Sequence, residues 1–233
     1  MAELSTLTTK VVSAADPKAR AAALWENKPE GAFTEVRAAL KRMASGRDRC
    51  MYCEDSEGTD IEHFWPKSTY PNKAFSWSNY LLACSHCNSN HKRARFPMTG
   101  GEPDLLDPTS EVPADAPSQH LRLLPSNGHY QPIGPKGQPS ITVFDLNGDE
   151  RGRKLPQGRR DTFHMLQELL IVYDNYVRKG NHAMAHNIKR AIINHPFGAV
   201  LAFLLDLAQQ ANEDKTLLPG VAEAIQRHRV AGW

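Results

Sequence analysis

The chain has 233 residues, of which 40% are hydrophobic, and its 28 Lys and Arg against 26 Asp and Glu leave a formal net charge of only +2. A chain of this size can bury a real core, and its charge is too balanced to indicate a nucleic-acid partner, so that argument must rest on local clusters. It contains no apolar run of the roughly 18 residues that a membrane span needs, and its first residues lack the layout of a signal peptide, so we expect a cytoplasmic protein without a membrane partner.

The N-terminal region, residues 1–46, is predicted to be helical from about residue 17. Asp16 is a typical N-cap, and Pro17 suits the first helical position. Four apolar residues then recur at helical spacing: Phe33, Val36, Leu40 and Met43. Gly46 follows as a helix stop.

All cysteines of the chain lie in two Cys-x-x-Cys pairs within residues 47–98: Cys50, Cys53, Cys84 and Cys87. Disulfides or reduced core thiols are the alternatives, but disulfides are rare in the cytoplasm, and core thiols rarely come as matched pairs. Paired knuckles of this kind are typical of a tetrahedral structural zinc site. The 30 residues between Cys53 and Cys84 are more than a simple zinc ribbon has between its two knuckles, so we expect an insertion between them.

This insertion carries an acid–imidazole pair in "DIEHFWPKS". We predict a short strand with Glu62 and His63, then a loop with Asn79, then a helix that starts at the second knuckle. Neighbouring residues on a strand face opposite sides, so the pair can serve one site only where the strand bends or bulges. Four polar residues share one face of the helix: Asn88, His91, Lys92 and Arg95. This order predicts an α+β fold, mostly helical, around a small ββα-metal module with a structural zinc site.

Residues 99–155 are rich in Pro, Gly, Asp and Ser and are predicted to be extended and turn-rich, with apolar anchors such as "ITVFDL". "HLRLLPSNGHYQPI" fits a hairpin with Asn127 and Gly128 at its turn. Residues 156–233 show a helical pattern again, and the first helix there should end near Gly180. We expect this C-terminal helical region to form the surface for a partner or for self-association as a homodimer.

Several of these segments resemble a known family. "IEHFWP", "WSNYLLAC" and "CSHCNSNHK" are similar to the HNH endonucleases, and the series from "CMYCE" to "ITVFDLN" resembles the PtuB-type HNH nucleases of Septu and retron anti-phage systems. The resemblance covers roughly residues 45–150. It implies a treble-clef-like HNH module in a metal-dependent endonuclease that hydrolyses DNA. It also implies a defence role beside a PtuA-type ATPase and, in retron systems, a reverse transcriptase with its nucleic acid.

The resemblance implies a role for each matching residue. His63 is the general base, since a neutral imidazole can take a proton from water near neutral pH. Glu62, where Asp is frequent in the family, is a ligand of a catalytic Mg²⁺ or Mn²⁺ that neutralises charge on the phosphate. Asn79 ties the loop together and orients the base. Asn88 is the last metal ligand, with His91 as the alternative.

Contacts with nucleic acid are expected from the segment "HKRAR", through Lys92, Arg93 and Arg95, whose charges can meet backbone phosphates. The basic stretch from Glu150 to Arg160 is a second candidate, with a solvated helix lead-in as its alternative. Glu54, after the first knuckle, could support a metal ligand.

Two other functions stay open. A zinc-stabilised module that binds nucleic acid without catalysis needs no acid–imidazole pair, and in that case Glu62 can be a surface acid and His63 a core histidine. An HNH nuclease acting on RNA would use the same residues as one acting on DNA.

Overall fold

The computed structural model describes residues 2–148, 152–210 and 216–230. Its helices are α1 (Ala2–Val12), α2 (Pro17–Glu26), α3 (Glu30–Met43), α4 (Pro117–His120), α5 (Gly137–Phe144), α6 (Leu155–Arg178), α7 (His182–Ile193), α8 (Gly198–Gln210) and α9 (Val221–His228). Its strands are β1 (Asp60–His63), β2 (Tyr80–Ala83), β3 (Met98–Thr99), β4 (Glu102–Pro103), β5 (Leu121–Leu123) and β6 (Tyr130–Pro132). The strands form three antiparallel pairs, β1–β2, β3–β4 and β5–β6. The predicted α+β class, mostly helical, is confirmed.

The N-terminal helices follow their sequence signals closely. Asp16 caps α2, since its side chain accepts a hydrogen bond from the Ala19 N–H at 3.0 Å. Helix α3 buries Phe33, Val36 and Leu40, as the spacing predicts. Met43, the last residue of α3, is 51% exposed. Helix α1 precedes the segment predicted to be helical and buries three residues at helical spacing: Leu4, Leu7 and Val11.

The β1–β2 ribbon separates two hydrophobic cores. Its strands pair residue for residue from Asp60 to His63, so the register contains no bulge. Alternate residues of a strand face opposite sides. Tyr80 and Leu82 pack into a core built with α1, α2 and α3. Leu81 packs into the second core, which contains the four cysteines and residues of the C-terminal helices.

The second knuckle leads into one wide helical turn, His86–Lys92, in place of the regular helix that the sequence predicts. Arg93 ends this turn with a φ of 49°, and its backbone N–H donates to the Asn88 carbonyl at 2.8 Å. A wide turn holds more residues than an α-helical turn, so it changes which side chains share a face. This change decides the positions of several predicted site residues.

The predicted hairpin is present as β5 and β6, and Gly128 lies in its turn with a φ of 75°. A Cβ at this glycine would lie 1.8 Å from the Pro156 carbonyl oxygen, so the turn needs glycine to approach α6. The segment "ITVFDL" is not extended: most of it forms α5, which buries Ile141, Val143 and Phe144. Packing outweighs the low helix propensity of its β-branched residues.

The C-terminal helices pack around α6, which buries Phe163, Leu166 and Leu170 and ends before Gly180, as predicted. Among the described residues, no single helix is long and apolar enough to cross a membrane, and α7 with α8 meets that length and composition only as a pair bent by 109°.

Two arginines of the basic stretch from Glu150 to Arg160, which runs into the first turns of α6, serve the fold. Arg159 is 1% exposed and donates to the carbonyls of Gly128 at 2.7 Å and Leu146 at 2.8 Å, which joins the hairpin turn and the end of α5 to α6. Arg153 donates to the Cys87 sulfur at 3.6 Å. The expectation of a nucleic-acid surface is wrong for these two arginines, while Glu150 and Arg151 lie outside the described residues.

Candidate active site

The four cysteines meet in the second core, beside β2. Their sulfur atoms all lie within 4.8 Å of one another, and all four residues are buried free thiols. The Sγ atoms of Cys53 and Cys84 are 3.9 Å apart. A tetrahedral zinc ion with Zn–S bonds of about 2.3 Å requires a separation of roughly 3.8 Å. The cluster therefore has the geometry of a tetrahedral metal site, and the disulfide alternative is wrong.

The charges of this cluster also favour a bound cation. The neighbouring thiols lower the pKa of Cys53 and that of Cys84, the latter to about 7, and they raise the pKa of Cys50 and of Cys87. Four sulfurs this close cannot all be thiolates unless a positive charge lies among them. A zinc ion supplies that charge and allows each sulfur to act as a ligand. The residues present therefore fit a zinc ion.

Glu54 connects the first knuckle to α8. Its backbone has a φ of 56°, and its carbonyl accepts a hydrogen bond from the Phe197 N–H at 2.9 Å. Its carboxylate accepts one from the Ala199 N–H, also at 2.9 Å, in the first turn of α8. Burial raises the pKa of Glu54, and the bond from Ala199 counteracts this effect. Glu54 thus satisfies a free N–H at the N-terminus of α8.

A cleft of about 420 Å³ opens beside β1, and we call it the β1 cleft. Side chains of four segments line it: Lys18, Ala22 and Trp25 of α2, Ile61, Glu62 and His63 of β1, Pro66, Lys67 and Ser68 of the loop, and Asn88, Ser89, Arg93 and Ala94 of the wide turn and its end. Glu62 and His63 both reach it, although β1 has no bulge. The predicted bulge is absent, since β1 pairs residue for residue with β2.

His63 is held in one orientation within this cleft. Its Nε2 lies 2.9 Å from the Ala74 carbonyl oxygen, which can only accept, so Nε2 carries the proton and Nδ1 keeps a lone pair. The indole of Trp25 packs against the imidazole with ring centroids 4.3 Å apart. Burial, with a contribution from the Lys67 charge, lowers the pKa of His63 to about 3. The ring is therefore an uncharged base at neutral pH.

Lys92 does not lie where the sequence predicted it. Its side chain is 0% exposed, and its Nζ donates to Glu62 Oε1 at 2.6 Å and to the His63 carbonyl at 2.7 Å. The predicted phosphate contact of Lys92 is wrong, because the wide turn directs this side chain into the interior. Burial raises the pKa of Glu62, and the Lys92 charge counteracts this effect. The ion pair therefore stabilises Glu62 as a carboxylate.

Asn79 holds the loop between the strands. Its Oδ1 accepts from the Trp65 N–H at 2.7 Å, and its Nδ2 donates to the carbonyls of Trp65 and Lys73, both at 3.0 Å. Its own carbonyl accepts from the Phe64 N–H at 3.0 Å. These bonds fix the chain that follows His63 and the chain before Ala74, the acceptor of the His63 ring.

Asn88 lines the β1 cleft, whereas the cleft lining does not include His91, which is 1% exposed and packs 5.0 Å from the His86 ring. Asn88 Nδ2 donates to Asp60 Oδ2 at 3.1 Å, which leaves its Oδ1 for another ligand. Glu62 and Asn88 thus bring two oxygen donors to one cleft. Mg²⁺ and Mn²⁺ bind through few protein oxygens and keep several waters, so these residues fit such an ion.

The two predicted arginines have different positions. Arg93 is exposed and lines the β1 cleft. Arg95 donates to the Val143 carbonyl at 3.0 Å and to the His91 carbonyl at 2.7 Å, so it joins the wide turn to α5. Of the three predicted nucleic-acid contacts, the structure brings only Arg93 to the cleft.

Other residues of the site were missed by sequence reasoning. Lys18 and Trp25 belong to α2, and Lys67 belongs to the loop after His63. No local pattern marks the two α2 residues, because only tertiary packing brings α2 to β1. Asp60 could have been found, since it lies two residues before Glu62 and residues at that spacing share one face of a strand.

Residues 50–94 match the family of HNH endonucleases. The chain contains an HNH domain. This domain runs from the first knuckle through β1, β2 and the wide turn to the residue after Arg93, so it includes every predicted cysteine and catalytic residue.

Two curated relatives extend the likeness beyond the HNH domain. The chain is 31% identical over 124 residues to the Septu protein PtuB of Bacillus thuringiensis, a match that covers 50% of the chain and 42% of the relative. It is 32% identical over 146 residues to the Septu protein PtuB of Bacillus mycoides (strain KBAB4), covering 49% of the chain and 48% of the relative. The matches thus span somewhat less than half the length of either relative. No solved structure matches the chain.

Proposed function

We propose that the chain is a metal-dependent HNH endonuclease that hydrolyses phosphodiester bonds of DNA. The observation that carries this proposal is the meeting of Glu62, His63 and Asn88 in one cleft within the HNH domain. A module that only bound nucleic acid would not need a neutral imidazole beside two oxygen donors. The β1 cleft is therefore the proposed place of cleavage.

In this proposal the residues of the chain have distinct tasks. His63 accepts a proton from the attacking water through Nδ1, since Nε2 is already bonded to the Ala74 carbonyl. Asn79 maintains the loop that presents this carbonyl. Glu62 and Asn88 would hold a divalent ion, Mg²⁺ or Mn²⁺, which neutralises charge on the phosphate and on the leaving oxygen. A zinc ion held by the cysteine cluster would support the fold and would take no part in the reaction.

The biological setting is proposed from the resemblance to the two relatives named Septu protein PtuB. We propose a cytoplasmic effector of anti-phage defence that acts with a PtuA-type ATPase, and in a retron setting with a reverse transcriptase and its nucleic acid. The C-terminal helices are the proposed surface for the ATPase or for a homodimer. They expose apolar side chains that a partner could cover: Met165, Met184 and Ile193.

The central test compares the wild-type chain with His63→Ala in plasmid cleavage with Mg²⁺ or Mn²⁺, with and without an ATPase encoded beside it. We expect His63→Ala to lower the cleavage rate by at least about 100-fold, because general-base catalysis contributes about 100- to 10,000-fold. Arg122→Ala, at an exposed position on β5 outside the cleft and outside the C-terminal helices, is the control and should cut like the wild type. Equal cleavage by His63→Ala, or no cleavage under any condition, would contradict the proposal.

A further inference from the structure

The β1 cleft carries three cations that the proposed chemistry does not use. Lys18 comes from the first turn of α2, Lys67 from the loop after His63, and Arg93 from the end of the wide turn. They lie far apart in sequence, and only folding brings them around one cleft. Cations gathered from three separate segments are not one solvated face of a helix.

The charge within this cleft is not balanced by the protein. Among the residues that line it, Glu62 is the single acid, and the buried ammonium of Lys92 already pairs with it at 2.6 Å. Within the described residues, neither the Lys18 nor the Lys67 ammonium group forms a hydrogen bond or an ion pair. The Arg93 Nε donates to the Ser89 carbonyl at 2.7 Å, which orients its guanidinium. The cleft therefore offers a net positive charge to an anionic ligand.

Trp25 connects α2 with Lys67 and His63. Its indole packs against His63 at 4.3 Å and against Phe33 at 5.3 Å, which anchors α2 to the HNH domain. The ammonium of Lys67 lies 5.4 Å from the centre of the same indole, within the range of a cation–π contact. The partly buried Lys67 is thus directed beside the proposed base.

From this arrangement we propose that Lys18, Lys67 and Arg93 form a three-point phosphate clamp that binds the DNA backbone around the scissile bond. The clamp rests on the proposed function and adds α2, which precedes the HNH domain, to the nucleic-acid surface. The three cations would contact phosphates and no base edges, so the clamp predicts DNA binding without strong sequence preference. It does not include Lys92, which is buried against Glu62, or Arg95, which is exposed but does not line the cleft.

The test measures binding of a fluorescently labelled 20-base-pair DNA duplex by anisotropy over a range of salt concentrations. All variants are made in the wild-type chain as parent, which keeps the contact of His63 with Trp25, and Mg²⁺ and Mn²⁺ are left out to prevent cleavage. Each bound phosphate contributes a slope of about −0.9 to the logarithm of the binding constant against the logarithm of salt concentration. We therefore expect each of Lys18→Gln, Lys67→Gln and Arg93→Gln to reduce the slope by about 1, and the triple variant by about 3.

Arg20→Gln is the matched control, because Arg20 is an exposed cation of the same helix that does not line the cleft. It should leave the slope unchanged, and all variants should keep the zinc content and melting temperature of the parent. The clamp is overturned if the triple variant keeps the parent slope, or if the parent does not bind the duplex. A parent that binds through these residues but never cuts DNA with Mg²⁺ or Mn²⁺ would support the clamp and contradict the nuclease function.

Discussion

Two neighbouring residues, Glu62 and His63, show how burial sets chemistry at the scale of a single side chain. Both are nearly inaccessible, at 4% and 5% exposure. The negative charge of the Glu62 carboxylate is compensated by the Lys92 ammonium. This ion pair allows both charged groups to remain in the interior. His63 is accommodated without its charge, under the indole of Trp25. One strand thus presents a stabilised carboxylate and a neutral base to the same cleft.

The buried imidazole makes stability depend on pH. The pKa of His63 is about 3 in the folded chain against an ordinary value of 6.5, so the unfolded chain binds the proton more readily between these values. Stability should therefore be full above pH 6.5 and fall as the pH decreases, by about 1.4 kcal/mol per unit.

Urea unfolding of the zinc-loaded protein at pH 7.5 and pH 5.5 tests this effect. From pH 7.5 to 5.5 the wild type should lose about 1 to 1.5 kcal/mol more free energy of unfolding than His63→Phe, an aromatic replacement that does not titrate. His186→Phe, at an exposed position, should show the wild-type loss. Equal losses in wild type and His63→Phe would contradict the assigned burial effect.

At the scale of elements, helix ends connect parts of the chain that are distant in sequence. Glu54 lies directly after the first knuckle, yet it accepts a hydrogen bond from the Ala199 N–H at the start of α8. A carboxylate at a helix N-terminus satisfies a free N–H and interacts favourably with the helix dipole. The metal knuckle and the C-terminal helices are thereby held together.

We expect Glu54→Ala to lower the free energy of unfolding by about 0.5 to 2 kcal/mol, the usual cost of losing a helix cap. Glu54→Gln keeps an acceptor oxygen and should lose less. Glu57→Ala removes an exposed carboxylate of the same loop and serves as the control. Urea unfolding that gives Glu54→Ala the same stability as Glu57→Ala would show that the cap does not contribute.

At the scale of the whole molecule, the two hydrophobic cores lie on either side of the two-stranded β1–β2 ribbon. The β1–β2 ribbon contributes Tyr80 and Leu82 to the core of the N-terminal helices and Leu81 to the core of the C-terminal helices. The four cysteines belong to the second core together with residues of α6, α8 and α9. A metal ion among them would therefore stabilise much more than the two knuckles.

Zinc removal by a strong chelator, or Cys84→Ser, should accordingly loosen the C-terminal helices as well as the HNH domain. Binding free energies of small thiolate zinc sites are on the order of 10 kcal/mol, similar to the whole stability of a domain. Zinc loss should lower the protection of backbone amides in α6 and α8 against hydrogen exchange. Removal of Mg²⁺ alone should leave the protection of both helices unchanged. Stoichiometric zinc loss without any change in exchange would contradict this coupling.

Local signals in the sequence were sufficient for several features. The spacing of Cys50, Cys53, Cys84 and Cys87 predicted a metal cluster, and Asp16 with Pro17 predicted the start of α2. Asn127 and Gly128 predicted the β5–β6 turn. Each of these signals is a short segment: a Cys-x-x-Cys pair, a helix cap or a hairpin turn. Residues within such a segment interact with one another whatever the fold of the rest of the chain.

Only the tertiary structure decided the surroundings of the acid–imidazole pair. The wide turn His86–Lys92 buries Lys92 against Glu62, although its sequence is that of an exposed basic helix. Helix α2 brings Lys18 and Trp25, which lie 45 and 38 residues before His63 in the chain, to the same cleft. Local residue types could indicate candidate groups for the chemistry, because metal binding and base catalysis need particular atoms. They could not predict which charges are buried or exposed, because that depends on packing between segments that are remote in sequence.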